Sequence, residues 1–478
     1  MNSWEGKLRE DQQGLVRMRF TEEVSIMTAI DATSEVFMTA FRALPKKVRE
    51  AVVGKMLSDK EFREDLMDAA LIEQRRGGGI MRTRYALTFF LLLAAIVVFS
   101  SVPVSAKDSI RFGYSMALTG VLSPNAQGPV EAYAVWHETV NKRGGIFVRE
   151  EGKKLPVEMV FNDDQSEPDR AVRTYEKLIT QDKVDLILPP IATPNHFAVA
   201  PLAAKYKIPL VGSTASSVKL RDMKNDWFWF ISYMPDAQAR AVADFLRDLK
   251  IKTVAVAYLQ EMFPKENLQF LEPYLKEAGI NVVVLKDYPT AEKDLKTLLS
   301  QIKANNPEAV IYLSYPSDTF TIVTQSQELG LNPKFMFNLI GPFVVAFKPK
   351  FGPAVEGIAG MGNWSPKQKT FGNKEFVDAF QAKYKKLPDP TLSTLAYMAC
   401  QIMEQAIEKA GSLDRQKLRD YIAANEFQTV QGTVKFQGSE NIKAVAGILQ
   451  WQQGVTEVIW PKSIATAKPL YPKPAWPK

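Results

Sequence analysis

The chain has one cysteine, Cys400, in 478 residues. No intramolecular disulfide can staple it, and no cysteine-ligated zinc or iron–sulfur centre can form. Histidine is nearly as scarce, and His137 and His196 leave little room for imidazole chemistry. The sequence contains no G-x-S-x-G nucleophile elbow, no G-x-x-x-x-G-K-[ST] phosphate loop and no G-x-G-x-x-G fingerprint. No cofactor or metal is therefore expected. Charge of one sign is not in great excess: the formal +7 is spread over the chain without the clustered basic footprint of a nucleic-acid binder. What is present is ample apolar content, 46%, enough for two or three packed domains.

A long hydrophobic run occurs once. Arg82 and Arg84 precede an uncharged apolar stretch from Ala86 to Phe99, and small residues follow at Val104-Ser105-Ala106. This is the pattern of a secretory signal peptide over 81–106 with cleavage before Lys107. The uncharged length also approaches that of a bilayer span, but Ser100, Ser101 and Pro103 interrupt it. Residue 107 is not cysteine, which argues against a lipid anchor. Residues 1–80 read as a helical prefix with amphipathic spacing at Val48, Val52 and Met56, and Gly77-Gly78-Gly79 stands just before Met81. The expectation is a translation start at Met81, with the prefix an upstream frame run into this one; its stretch from Leu57 to Arg76 resembles the helical end of small antitoxin-type proteins.

From Ser109 onward short apolar runs alternate with helix-period segments. Strands are expected at Ile110–Met116, Val157–Asn162, Leu186–Pro189, Leu210–Gly212, Thr253–Leu259, Asn281–Asp287, Ala309–Leu313 and Lys334–Phe337. Helices are expected at Asp169–Gln181, Ala237–Leu249, Lys265–Glu277, Glu292–Ala304 and Asp318–Leu329. Gly279 and Gly330 follow two of them, where the left-handed C-cap conformation is needed. The alternation implies an α/β fold with parallel sheets covered on both faces, in two blocks of about 109–230 and 251–340. In such sheets ligands sit beyond the carboxyl ends of the strands. A proline-rich tail, 463–478, is expected to be extended and surface-lying.

Several phrases, in order, resemble the periplasmic substrate-binding proteins of branched-chain amino acid ABC transporters. They are Phe112 to Gly120, Val140 to Ile146, Asn162 to Pro168, Ala200 to Pro209 and Gly432 to Phe436. The resemblance implies a type I periplasmic binding fold: two doubly wound parallel-sheet lobes joined by three hinge crossovers, near Ile231–Tyr233, Asn363–Ser365 and Phe436–Gly438. Lobe one is then 107–231 and 365–436, and lobe two is 232–363 and 437–462. It also implies a periplasmic, non-enzymatic receptor that captures a small solute and delivers it to an inner-membrane ABC permease, with no nucleic-acid partner and a monomeric state.

Two loops of lobe one, Pro190 to His196 and Gly212 to Ser217, correspond to those that hold a ligand's carboxylate and ammonium in that family, which carries Ala192, Thr193, Thr214, Ala215 and Ser216 into the site. Loop hydroxyls also cap helices, and Thr193 and Ser216 fit both roles. His196 beside them is a candidate donor to a carboxylate. Lobe two is expected to add Phe263, where the family has a tyrosine, Tyr315, and the stretch Phe337 to Phe343 with Gly341. The family's amino acid binders place an acidic residue in that last stretch, and none stands here. A buried ammonium without an anionic partner is costly. The ligand is thus left open among a branched-chain or hydrophobic amino acid, an aromatic or aliphatic carboxylate, and an amide.

Asp163-Asp164 looks like a catalytic or metal pair but is read as structural. His137 is read as packed or at the surface, and Trp364 and Tyr397 as cleft or hinge residues or core. A sensor ectodomain-like ligand binder and a secreted α/β enzyme remain as alternatives, the second disfavoured by the missing nucleophile motifs.

Overall fold

A computed structural model describes residues 107–477. The readings for the helical prefix and the signal peptide lie outside these residues. Strands Ile110–Met116, Leu210–Gly212, Thr253–Leu259 and Ala309–Leu313 begin and end where the apolar runs do. Buried on both faces, they need apolar side chains of both parities, so the run itself marks the strand.

Two sets of strands result. In the first, Ile110–Met116 lies between Val157–Asp163 and Leu186–Ile187, all parallel. The same part of the chain contributes Leu210–Gly212 and Phe228–Phe230, which continue through Glu440–Asn441 to the hairpin Glu426–Thr429 and Gly432–Gln437. The second set is one seven-stranded sheet. Its parallel part runs in the order Ile358–Met361, Phe335–Asn338, Ala309–Leu313, Thr253–Leu259, Asn281–Tyr288, and an antiparallel hairpin, Ile448–Gln452 with Val455–Trp460, extends the Ile358–Met361 edge.

The chain passes between the two sets three times. It leaves the first after Phe230, returns after Met361 and leaves again after Asn441. The third passage is later than the Phe436–Gly438 expected, because Glu440 still pairs with Phe230 and Asn441 Nδ2 donates to Ile231 O at 3.0 Å. The last two passages touch: Gly362 N donates to Gly447 O at 3.1 Å, and a Cβ on Gly447 would lie 2.6 Å from Gly362 O. Only glycine permits that approach.

Helices cover the sheets. Ser123–Lys142 packs against Leu392–Ala410, tied by Trp136 Nε1 donating to Glu404 Oε2 at 2.8 Å. Pro235–Asp248 packs against Met262–Glu277. The tail is more than surface-lying. Leu470 N donates to Gln450 Oε1, Lys473 N to Lys334 O and Trp476 Nε1 to Leu331 O, leaving Lys473 only 5% exposed.

Candidate functional site

A cavity lies where loops from both strand sets converge; its empty space, open mouth included, is about 690 Å³. The first set contributes Ala192, Thr193, Thr214 and Ser216, and the start of helix Ser123–Lys142 adds Leu122 and Asn125. The second contributes Phe263, Tyr315 and Ile340. The passages contribute Ser232, Tyr233, Met361, Gly362 and Asn363, and the approach to helix Leu392–Ala410 contributes Pro390, Thr391, Leu392 and Leu395. Gln431 completes the wall.

Six of the expected residues therefore meet around one space. Their hydroxyls are partly used within the protein. Thr193 Oγ1 donates to Ser216 O at 3.3 Å and accepts from Ser216 N at 3.2 Å, while Ser216 Oγ donates to Tyr233 O at 2.9 Å. These bonds clasp the two loops together. Thr214 Oγ1 accepts from Ala192 N at 3.0 Å, which leaves its own proton available. Ala192 sits at φ 68° and ψ 149°, a region of backbone space almost confined to glycine. The strain falls at the first residue of the wall, just before helix Thr193–Lys205.

Three expected residues do not line the cavity. Ala215 is fully buried behind the loop. His196, one helical turn after Ala192, turns inward: Nδ1 donates to Ala192 O at 2.8 Å, the ring packs near Phe228, and Nε2 is enclosed without a partner among the described residues. Burial lowers its pKa to about 4. A neutral, enclosed ring is not the donor to a carboxylate that the sequence reading had it be. Gly341, at φ 124°, passes against Thr319 and Pro316 and supports Ile340 from behind.

Tyr315 is held by its neighbour. Asp318 Oδ1 accepts from Tyr315 N at 3.0 Å, and Tyr288 OH donates to Oδ2. Burial raises the Asp318 carboxyl to about 6. The pair Asp163-Asp164 organises loops: Asp163 accepts from the backbone of Leu118, Thr119 and Gln165, and Asp164 from Ser115 Oγ. Among the described residues no cluster of acidic, histidine and cysteine side chains could hold a metal ion. His137 Nε2 lies 3.0 Å from Val157 O. Trp364 is fully buried with Nε1 on Asn373 Oδ1, and Tyr397 stacks on Phe376; neither lines the cavity.

Sequence reasoning missed Asn125, Ser232, Tyr233, Asn363, Thr391 and Gln431. Ser232 and Tyr233 could have been found, since they lie in the first crossover that the resemblance implies, Ile231–Tyr233. Thr391 and Gln431 carry no local signal, because only the return of the chain brings them to the wall.

A model of the periplasmic binding protein family matches residues 109–452, and the chain belongs to that family. It is similar to the leucine-, isoleucine-, valine-, threonine- and alanine-binding protein of Pseudomonas aeruginosa, at 23% identity over 76% of this chain and 95% of that one. Its fold is similar to the branched-chain amino acid transporter substrate binding protein LivJ of Streptococcus pneumoniae in complex with isoleucine: TM-score 0.65 and 20% identity, over 74% of this chain and all of that one. It is equally similar to an ABC transporter solute binding protein of R. palustris in complex with benzoate: TM-score 0.65 and 18% identity, over 77% and 98%. The architecture is the type I periplasmic binding fold, two α/β lobes joined by three crossings. Among the described residues, no helix is long and apolar enough to cross a membrane.

Proposed function

We propose that the protein is the extracytoplasmic solute receptor of an ABC importer, and that the cavity is where it encloses its ligand. The lobes are 107–231 with 365–441, and 232–363 with 442–462. A single observation carries the reading: one cavity takes its walls from both lobes and from the passages between them, as Ala192, Thr214, Phe263, Tyr315, Ser232 and Gly362 show. A space so built changes shape whenever the lobes move, which is what capture by hinge closure requires. The solute is small, with an apolar body facing Phe263, Ile340 and Leu395: a hydrophobic amino acid, an aromatic or aliphatic carboxylate, or an amide. No reaction is performed on it. The receptor acts as a monomer and hands the solute to an inner-membrane permease after export through the signal peptide 81–106.

Thermal unfolding of the purified protein against these solute classes tests the reading. A ligand at 100 times its dissociation constant stabilises by about 2.7 kcal/mol, a clear rise in melting temperature. A panel of small organic solutes that leaves the melting temperature unchanged would refute it.

A further inference from the structure

We infer that the solute this cavity selects is a small organic monocarboxylate without an ammonium group; the inference rests on the receptor reading above. Among the described residues, none that lines the cavity bears a formal charge. The nearby carboxylates lie outside its lining. Asp318 accepts from Tyr315 N and Tyr288 OH, and Asp389 accepts from the N–H groups of Thr391 and Leu392 and the Thr391 hydroxyl. Glu266 accepts from Val218 N at 2.8 Å through one oxygen, and its other oxygen is fully enclosed. An ammonium shut into this space meets hydroxyls, amides, aromatic rings and aliphatic side chains but no carboxylate, and loses its hydration without an anion to replace it.

A carboxylate fares better. Asn125 and Ser232 line the cavity at 6% and 3% exposure, and no hydrogen bond among the described residues engages their side chains. With the free proton of Thr214 they supply donors for an anion, beside the first turn of helix Thr193–Lys205, whose dipole favours negative charge.

A cleft beside the cavity is basic. This outer cleft of about 1260 Å³, open mouth included, shares Pro390 with the cavity and is lined by Lys348, Lys385 and Lys386 against the single carboxylate of Asp389. Lys386 is paired with Glu131. Lys348 and Lys385 instead donate to the carbonyls of Gly454 and Ala382, which leaves their charge uncompensated by any described carboxylate. A cleft of one sign raises the local concentration of the opposite ion and speeds its association.

Matched solutes isolate the charge. Calorimetric titration compares leucine with 4-methylpentanoate and 4-methylpentanamide, and phenylalanine with 3-phenylpropanoate and 3-phenylpropanamide, which share one apolar body within each set. In at least one set the acid is expected to bind at least about tenfold tighter than both its amino acid and its amide. Its association rate should fall with added salt, and the Lys348→Ser, Lys385→Ser double variant should slow that association several-fold. An amino acid that binds as tightly as its acid overturns the inference, as does an amide that does so. Binding of neutral or cationic solutes only, from a wider panel, overturns the anion and leaves the receptor reading standing; no binding by any small solute removes both.

Discussion

His196 belongs to the support of the site, and its protonation is therefore tied to folding. The Ala192 carbonyl can only accept, so Nδ1 carries the hydrogen, and protonating Nε2 would place a charge where no partner waits. Burial brings the pKa down from the usual 6.5 to about 4. Between those two values the unfolded chain binds a proton that the folded one does not, so stability rises with pH across that window and is lost as pH falls through it. At about 1.36 kcal/mol per unit the window is worth roughly 3 kcal/mol. Urea unfolding at pH 7 and pH 4 should show the native protein losing roughly that much more than His196→Gln; equal losses would place the ring in contact with solvent. The sequence displayed this histidine beside a loop of small polar residues, and nothing in it told whether the ring faced outward or inward. That depends on the helical turn from Ala192 and on Phe228, which is remote in sequence.

At the scale of elements, the loop after strand Phe335–Asn338 shows how a glycine shapes a wall it does not touch. Gly341 has φ 124°, and a Cβ there would meet Thr319 Oγ1 at 2.5 Å and Pro316 Cα at 3.0 Å. Thr319 Oγ1 in turn donates to Ile340 O at 2.7 Å, which places Ile340 at the cavity. Gly341→Ala should cost about 2–3 kcal/mol from strain and crowding together, read from the urea midpoint; no measurable change would mean that the loop relaxes freely. The parallel strands were legible to the residue at Thr253–Leu259 and Ala309–Leu313 because burial on both faces makes them continuous apolar runs. Helix boundaries were less so. The helix expected from Glu292 begins at Lys296, because Glu292 and Asp294 spend their carboxylates on the N–H groups of Lys293, Asp294 and Lys296 and hold the preceding residues in turns. The helix expected from Lys265 begins at Met262, since Pro264 in its first turn forfeits a donor that needs no intrahelical partner.

For the molecule as a whole, what composition and periodicity left unread was the return of the chain. Strand–helix alternation implies two blocks, but that Leu392–Ala410 comes back to pack on Ser123–Lys142 is a long-range fact that only the family resemblance anticipated. The late third passage escaped even that, because two residues decide it: Glu440 pairs with Phe230 and Gln437, and Asn441 pairs with Phe436. Those residues also bear on hinge motion. Arg221 donates through Nε and Nη2 to both oxygens of Glu440 at 2.7 Å, and through Nη1 to Asp236 Oδ2 at 2.9 Å. Glu440 stands just before the third passage and Asp236 just after the first, so one guanidinium brackets two of the three crossings. A planar fork meets a carboxylate at two points where an ammonium meets it at one, so lysine should not replace it. Arg221 is about a third exposed, and water screens the network to about 1 kcal/mol. Arg221→Lys and Arg221→Ala should therefore lower the melting temperature only slightly, while spin labels on the two lobes should report a broader distance distribution than in the native protein. An unchanged distribution would show that the crossings themselves, with the Gly362 and Gly447 contact between them, set the stiffness of the hinge.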